Sequence, residues 1–210
     1  MDDIPAIILA GGLSRRMGGG DKGLLDLGEI TIIERVIKKI SPQVISLAIN
    51  INGDSSRFPN YDLPIISDSM KGFLGPLSGI LAGMDWAFKK KYKYVATVAA
   101  DTPFMPDDFI HRLYSIVKDQ KLNIVIAASR ILNTDEIFIH PTFGIWDVDL
   151  KDDLRNELAN DTRKIMSWAK KFRLDYCYFD IKNELDDPFF NINTPDDLEK
   201  AKQKLKKGLL

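Results

Sequence analysis

Apolar and polar positions in the first part of the chain follow two patterns. Short apolar runs at residues 7–9, 44–50 and 94–100 predict buried strands, and the small residues of the third suit a central parallel strand. Apolar residues at positions 32, 33, 36, 37 and 40 follow a helical period, and Thr31 with Glu34 forms a capping box before them. The patterns also predict a strand at 65–66, helices at about 76–91 and 106–118, and a strand at 124–129.

The later part of the chain is less regular. Strands are predicted at 140–146 and 174–180, helices at 148–158 and 162–172, and a last helix starts at Thr194-Pro195. Strand–helix alternation through about residue 130 favours a doubly wound, Rossmann-like α/β fold whose mostly parallel sheet has a mixed continuation. We therefore predict a single domain over residues 1–210.

Composition argues against several classes of protein. With 29 basic and 30 acidic residues the net charge is −1, so no overall field attracts nucleic acid or an anionic membrane. One cysteine and two histidines supply few soft metal ligands, which favours a hard ion such as Mg²⁺. The N-terminus lacks the basic region of a signal peptide, and no apolar run approaches the roughly 20 residues that cross a bilayer. We therefore expect a cytoplasmic protein.

The first apolar run leads directly into a loop rich in glycine and basic residues. Ala10, Gly11 and Gly12 follow the strand, and Arg16 and Lys22 add positive charge. Because glycine has no Cβ, its N–H can come very close to a bound group, and the charges favour an anion. The loop predicts a polyphosphate site, with a structural turn carrying surface arginines as the simpler alternative.

Two familiar phosphate motifs do not explain this loop. Residues 18–23 satisfy G-x-G-x-x-G, but they begin nine residues after Leu9 and not at the strand–helix turn of a dinucleotide-binding fold. Gly23 follows Lys22 where a P-loop has serine or threonine. Neither a dinucleotide fingerprint nor a P-loop is therefore predicted.

Polar side chains end three further predicted strands. Asn50, Asp68 and Asp101 stand at the ends of the strands at 44–50, 65–66 and 94–100. Ligands of open parallel sheets bind beyond the carboxyl ends of the strands, so these side chains should share one crevice with the glycine loop. Asp101 taken singly is equally well explained as a helix cap. The residues alone predict a protein that binds a phosphorylated compound with Mg²⁺.

The run Leu9-Ala-Gly-Gly-x-Ser-x-Arg-Met-Gly-x-x-Asp-Lys22 resembles the signature of nucleotidyltransferases with the GT-A-like fold. Its Ala-Gly-Gly form, closed by Asp-Lys, is similar to that of molybdenum cofactor guanylyltransferases. Further matches are spread over most of the chain: Asn50, Asp68-Ser69, Gly75-Pro76-Leu77-x-Gly79, Asp101-Thr102-Pro103, His140-Pro141-Thr142 and Asn191-x-Asn193-Thr194-Pro195.

The resemblance implies transfer of GMP from GTP to the terminal phosphate of molybdopterin, with Mg²⁺ as cofactor and pyrophosphate as leaving group. It implies a GTP site built from Leu9, Ala10, Gly11, Gly12, Arg16, Lys22, Asn50, Asp68 and Asp101. Arg16 and Lys22 would hold phosphates and Asp101 the metal, as the catalytic residues, while Asn50 and Asp68 would address base and ribose. Molybdopterin would bind at His140, Asn191, Asn193 and Thr194.

The two halves of the chain match the family unequally. The resemblance implies a GTP-binding part at about 1–130 and a molybdopterin-side part at about 131–210. Segment 130–139 departs from the family pattern, because Phe138-Ile139 precede His140 in place of a compact, basic approach. A longer or reshaped hairpin is expected there, and the second half is the weaker part of the match.

Two alternatives remain beside the guanylyltransferase. A sister cytidylyltransferase would act on molybdopterin or on a sugar-alcohol phosphate, although such families more often carry Ala-Ala-Gly where this chain has Ala10-Gly11-Gly12. A non-catalytic nucleotide-binding protein would have kept the pocket, although the presence of Asp101 and Lys22 argues against it. The expected partners are GTP and molybdopterin as substrates, with transient contacts to proteins that deliver or accept the cofactor, and neither nucleic acid nor membrane.

Overall fold

A computed structural model describes residues 3–11, 21–70, 75–183 and 186–206 of the 210-residue chain. Its strands are β1 (Pro5–Leu9), β2 (Ser46–Asn50), β3 (Ile65–Ile66), β4 (Tyr94–Ala99), β5 (Ile124–Ile131), β6 (Ile137–Asp147) and β7 (Leu174–Ile181). Its α-helices are α1 (Ile32–Ile40), α2 (Pro76–Lys89), α3 (Phe109–Asp119), α4 (Lys151–Ala159), α5 (Ile165–Ala169) and α6 (Pro195–Lys206).

The described strands form one seven-stranded sheet in the order β3-β2-β1-β4-β6-β5-β7. The first four strands run parallel, β6 is antiparallel to β4 and β5, and β7 returns parallel to β5. This arrangement confirms the predicted doubly wound, mostly parallel sheet with a mixed continuation. The carboxyl ends of β1, β2 and β4 consequently meet at one edge, where polar residues follow each strand.

Helix α1 shows why the first predicted elements form. Thr31 Oγ1 accepts a hydrogen bond from the Glu34 amide at 3.4 Å, and Glu34 Oε2 accepts one from the Thr31 amide at 2.7 Å. The capping box expected from the sequence is therefore present. Three fully buried residues, Ile33, Val36 and Ile40, then fix the helix on the sheet.

Some predicted boundaries were wrong. The helix expected at 162–172 is only Ile165–Ala169, because Lys171 and Phe172 donate to carbonyls three residues back and turn the chain into β7. The helix expected at about 106–118 starts at Phe109, after a turn. The strand expected at 140–146 begins at Ile137, where it pairs with β5 as a long hairpin. A hairpin is therefore present around residues 130–139, as expected.

The core lies on both faces of the sheet. One cluster of buried side chains packs α1 and α3 against one face, and a second packs α2, α4 and α5 against the other. Trp146 and Trp168 anchor the second cluster, fully buried and stacked with ring centroids 6.0 Å apart. Among the described residues, no helix is both long and apolar enough to pass through a membrane.

Candidate active site

A cavity of about 520 Å³ opens at the carboxyl ends of β1, β2 and β4, between the start of α2 and strand β6. Seven residues predicted to bind substrates line it: Leu9, Ala10, Gly11, Lys22, Asn50, Asp101 and Asn191. Gly12 and Arg16, which were also predicted, lie outside the described residues. The strand-end rule therefore located the cavity, because parallel strands bring residues distant in sequence to one edge.

Two opposite charges meet at one end of the cavity. Lys22 Nζ lies 3.6 Å from Asp101 Oδ2, and about a fifth of each side chain remains exposed, 22% and 23%. Burial raises the pKa of the Asp101 carboxyl, and the Lys22 ammonium opposes that rise without cancelling it. Because the Asp101 carboxylate is poorly solvated, a further cation bound at this position would stabilise it.

The segment 191–193 closes this end from the far side. Lys22 Nζ donates to Asn193 Oδ1 at 2.5 Å, and the Thr102 hydroxyl donates to Asn191 Oδ1. The backbone adds a hydrogen bond from the Ile192 amide to the Asp101 carbonyl at 3.0 Å. Asn193, predicted on the molybdopterin side, thus contacts Lys22 directly, and Asn191, predicted there too, contacts Thr102 beside Asp101.

The other end of the cavity is built from amides and glycines. The Asn50 amide nitrogen donates to the Ile66 carbonyl at 3.1 Å and to Asp68 Oδ1 at 2.9 Å. Asp68 Oδ2 in turn accepts from the Ser78 hydroxyl at 2.5 Å, which ties the loop after β3 to α2. Asn50 lines the cavity, whereas Asp68 lies behind it and holds Asn50 in place.

Gly79 permits this packing on the first turn of α2. A Cβ at this position would lie 2.6 Å from Asn50 Oδ1 and 2.8 Å from a methyl group of Leu9. Contacts that short are not tolerated, so the backbone of α2 can approach the strand ends only with glycine here. Gly75 and Gly79 of the Gly-Pro-Leu-x-Gly motif both line the cavity wall.

The remaining predicted residues, His140 and Thr194, do not line the cavity. His140 Nε2 lies 2.8 Å from Ser129 Oγ and 3.6 Å from Asp187 Oδ2, and its ring packs on Phe189 with centroids 4.5 Å apart. Burial lowers the pKa of His140, with the Asp187 carboxylate opposing.

Thr194 forms a capping interaction at the start of α6. Its hydroxyl accepts from the Asp197 amide at 3.2 Å, and its own amide donates to Asp197 Oδ2 at 2.9 Å. The contacts of His140 and Thr194 therefore support the walls around the cavity.

Comparison with known proteins agrees with this geometry. Residues 6–174 match the MobA-like NTP transferase domain. The molybdenum cofactor guanylyltransferase of Mesorhizobium japonicum is 41% identical over 202 residues, covering 95% of this chain and 94% of that protein. The chain belongs to the molybdenum cofactor guanylyltransferase family.

Other members of the family support the assignment. The guanylyltransferase of Haemophilus influenzae strain 86-028NP is 37% identical over 198 residues, 94% of this chain and 97% of that protein. The crystal structure of molybdopterin-guanine dinucleotide biosynthesis protein A from Archaeoglobus fulgidus has a TM-score of 0.75, with 24% identity over 97% of this chain and 100% of that one. That structure establishes the shared fold.

Among the residues that line the cavity but were not predicted site residues are Asn52, Phe58 and Thr142. Thr142 belonged to the quoted His-Pro-Thr motif, whose histidine drew the prediction instead. Asn52 and Phe58 lie in the turn-rich segment after β2, which carried no periodic signal. The position of Asn52, two residues beyond the strand-end Asn50, was the available signal.

The donor groups at the charged end of the guanylyltransferase fit Mg²⁺. Asp101 offers a carboxylate, and the neighbouring Thr102 hydroxyl and Asn191 amide offer hard oxygens. Within the described part of the chain, no group of three or more His, Cys, Asp or Glu side chains is placed to hold a metal by itself. Mg²⁺ commonly takes one or two carboxylates together with substrate phosphates, so the single carboxylate of Asp101 is compatible with it.

Proposed function

We propose that this protein transfers GMP from GTP to the terminal phosphate of molybdopterin, releasing pyrophosphate and forming a guanine dinucleotide form of the cofactor. The observation that carries the proposal is the meeting of Lys22 and Asp101 at one end of a cavity at the strand ends. Membership of the guanylyltransferase family supplies the reaction, and the cavity supplies residues of the right chemistry to perform it.

Lys22 binds the GTP phosphates in this proposal, together with Arg16. An oxygen of the molybdopterin phosphate attacks the α-phosphorus of GTP; a new O–P bond forms and the bond to the β-phosphate bridging oxygen breaks. That oxygen keeps the bonding electron pair and leaves with pyrophosphate. The attacking phosphate monoester is already anionic near pH 7, so the protein has mainly to position charges, and no strong general base is needed.

Asp101 holds Mg²⁺ in this proposal. Bound Mg²⁺ neutralises negative charge on the transferring and leaving phosphates. The raised pKa of the Asp101 carboxyl supports the assignment, because a poorly solvated carboxylate is stabilised by a divalent cation. Lys22, now 3.6 Å from Asp101, can then turn its ammonium toward the phosphates while Asp101 keeps a positive partner.

Molybdopterin binds on the side of the cavity formed by the later part of the chain. Asn191 lines the cavity beside Asp101, and Asn193 contacts Lys22. In this proposal both residues lie near the point where the molybdopterin phosphate reacts with GTP. His140 and Thr194 act as supports for this wall. We accordingly divide the chain into a GTP-binding part at about 1–130 and a molybdopterin-side part at about 131–210.

The reaction takes place in the cytoplasm in this proposal, with transient contacts to proteins that deliver or accept the cofactor. The near-zero net charge of −1 gives no support to binding of nucleic acid or of an anionic membrane surface.

Pyrophosphate release tests the proposal. The purified protein is incubated with Mg²⁺, molybdopterin and each of GTP, CTP, ATP and UTP, and pyrophosphate is measured over time. We expect release with GTP that depends on both Mg²⁺ and molybdopterin. Preference for CTP would point to the sister cytidylyltransferase, and nucleotide binding without any release would point to a non-catalytic protein.

A further inference from the structure

Asn52 lies in the wall of the cavity at the end away from the charged pair. It follows β2 by two residues and lines the cavity together with Gly11 and Phe58. A Cβ on Gly11 would lie 3.0 Å from Asn52 Nδ2, so the amide rests against the backbone after β1. The Asn52 carbonyl accepts from Arg57 Nη2 at 3.2 Å, which fixes the backbone that carries the side chain.

The Asn52 side chain has hydrogen-bonding groups that no described residue engages. Among the described residues its amide makes no hydrogen bond, although it offers two donors and an acceptor. Asn50 differs, because both hydrogens of its amide nitrogen are taken by Ile66 and Asp68. Of these two cavity amides, Asn52 is therefore the one able to donate to a ligand.

The order of the strands indicates which part of a nucleotide reaches Asn52. Asp101 follows β4 and Asn52 follows β2, with β1 between them. Neighbouring strands are about 4.8 Å apart, so the two residues stand roughly 10 Å from each other across the sheet edge. A nucleotide with its phosphates at Asp101 and Lys22 would be long enough to bring its base to Asn52, along the wall that Gly11 lines. Phe58, 92% buried in the same wall, offers an apolar surface to a flat ring.

We infer that Asn52 binds the guanine base and contributes to the base specificity of the reaction; the inference rests on the proposed function. Guanine has an acceptor, O6, beside a donor, N1–H, on one edge. A side-chain amide presents one donor beside one acceptor, so the two can form a two-bond pair. Pairs of this kind separate matched from unmatched bases by roughly tenfold to a hundredfold. A site built to hydrogen-bond a group also rejects analogues that lack it.

Equilibrium binding separates this role from a structural one. Three probes are used with wild type and Asn52→Ala: GTP, the triphosphate of 2-aminopurine riboside, which lacks O6 and N1–H, and inorganic tripolyphosphate, which has no base. We expect the variant to bind GTP about tenfold to a hundredfold more weakly. Its affinity for the other two probes should be unchanged. Asn156→Ala, on the exposed side of α4, is the matched control and should bind all three as wild type does.

Two results would overturn the inference. Unchanged GTP affinity in Asn52→Ala would show that the amide does not contact the base. An equal loss for GTP and tripolyphosphate would show that Asn52 only shapes the cavity. The proposed function fails by a different result, namely wild-type protein that has no preference for GTP, so the two failures are distinguishable.

Discussion

The two ends of the cavity differ in how their side chains are paired. At one end Lys22 and Asp101 form an ion pair at 3.6 Å, and Asn193 accepts a hydrogen bond from the same ammonium. At the other end the Asn52 amide makes no hydrogen bond among the described residues. The charged end must therefore exchange contacts within the protein for contacts with a ligand. Among the described residues, the Asn52 amide has no such contact to give up. Side chains at the charged end should consequently govern catalysis and phosphate binding, and the amide end should govern affinity and choice of base.

The largest effect is expected from Asp101→Asn. Loss of the carboxylate removes the proposed metal ligand, and losing one such preorganised charge costs on the order of a hundredfold in turnover. Because burial raises the pKa of this carboxyl, its ionised form is poorly solvated, and the variant should be at least as stable as wild type. Pyrophosphate release and urea unfolding measure the two properties.

Asp107→Asn is the matched control for that substitution. Asp107 stands six residues further along the same loop, is 83% exposed and pairs only with Lys39 at 2.8 Å among the described residues. It should keep wild-type activity. Turnover by Asp101→Asn within about tenfold of wild type would remove Asp101 from its metal-binding role.

A smaller effect, on nucleotide affinity, is expected from Lys22→Ala. The ammonium is the phosphate-binding charge at this end, so GTP should bind on the order of tenfold to a hundredfold more weakly, as for loss of a charge-assisted contact. The same change removes the ammonium that opposes the raised pKa of Asp101, so that pKa should rise further. As pH is lowered, metal-dependent activity should therefore be lost at a higher pH than in wild type. Titration calorimetry and a pH–rate profile provide the measurements.

Lys90→Ala is the control for Lys22→Ala. Lys90 is exposed just after α2, where its ammonium lies 5.5 Å from the centre of the Trp86 ring. Equal losses of GTP affinity in the two variants would mean that Lys22 contributes only general surface charge.

At the amide end, Gly79→Ala should affect both stability and affinity. The added Cβ would meet Asn50 at 2.6 Å, so the strand ends and α2 must move apart. Overpacking of this kind costs about 1–3 kcal/mol in unfolding free energy, and displacement of Asn50 should also weaken GTP binding. Thermal unfolding and GTP titration measure the two effects.

Gly83→Ala, one turn further along α2, provides the comparison. Its Cβ would meet a methyl group of Ile7 at 2.7 Å, in the core and not at the cavity. It should lose comparable stability without a specific loss of GTP affinity. A parallel loss of affinity in both glycine variants would show that α2 as a whole, and not the Asn50 contact, controls the pocket.

The smallest effect concerns the support around His140. Burial lowers the pKa of His140 in the folded protein, so the unfolded chain binds a proton first as pH falls. Its stabilisation is complete above the unfolded pKa of about 6.5 and is lost as pH falls through the lower, folded pKa. Wild type should therefore lose unfolding free energy relative to His140→Phe as pH falls from about 8 to about 5.

A difference between wild type and His140→Phe that stays constant over this range would contradict the assignment of a buried, neutral imidazole.

The sequence located the cavity, whereas the roles of the residues within it stay predictions. Asn50 and Asp101 were placed correctly because strand-end positions depend only on local apolar runs and parallel topology. Asp68 satisfied the same rule, but its side chain turns to Asn50 and Ser78, which no local pattern encodes. Its contribution to GTP binding stays a prediction.

Contacts between distant parts of the chain were the hardest to foresee. The resemblance implied that His140 binds molybdopterin; the structure shows it packed against Phe189 beside Asp187, and its contact with the substrate stays a prediction. The bond between Lys22 and Asn193 spans 171 residues, so neither side chain carries a local sign of the other. Asn52 lay in a segment without periodicity, and its exposure to the cavity depends on the path of the turn after β2.

The bond between Lys22 and Asn193 also bears on how the protein matures during synthesis. Strands β1, β2 and β4 lie in the first half of the chain and can pair as soon as they leave the ribosome. Closing a loop of 171 residues must wait until the segment around Asn193 has emerged and been recruited by the folded part. Until then Lys22 lacks its amide partner and the loop after Asp101 lacks the backbone bond from Ile192. The charged end is thus the last part of the pocket to acquire its final form. The pocket is complete only after the segment around Asn193 has been translated.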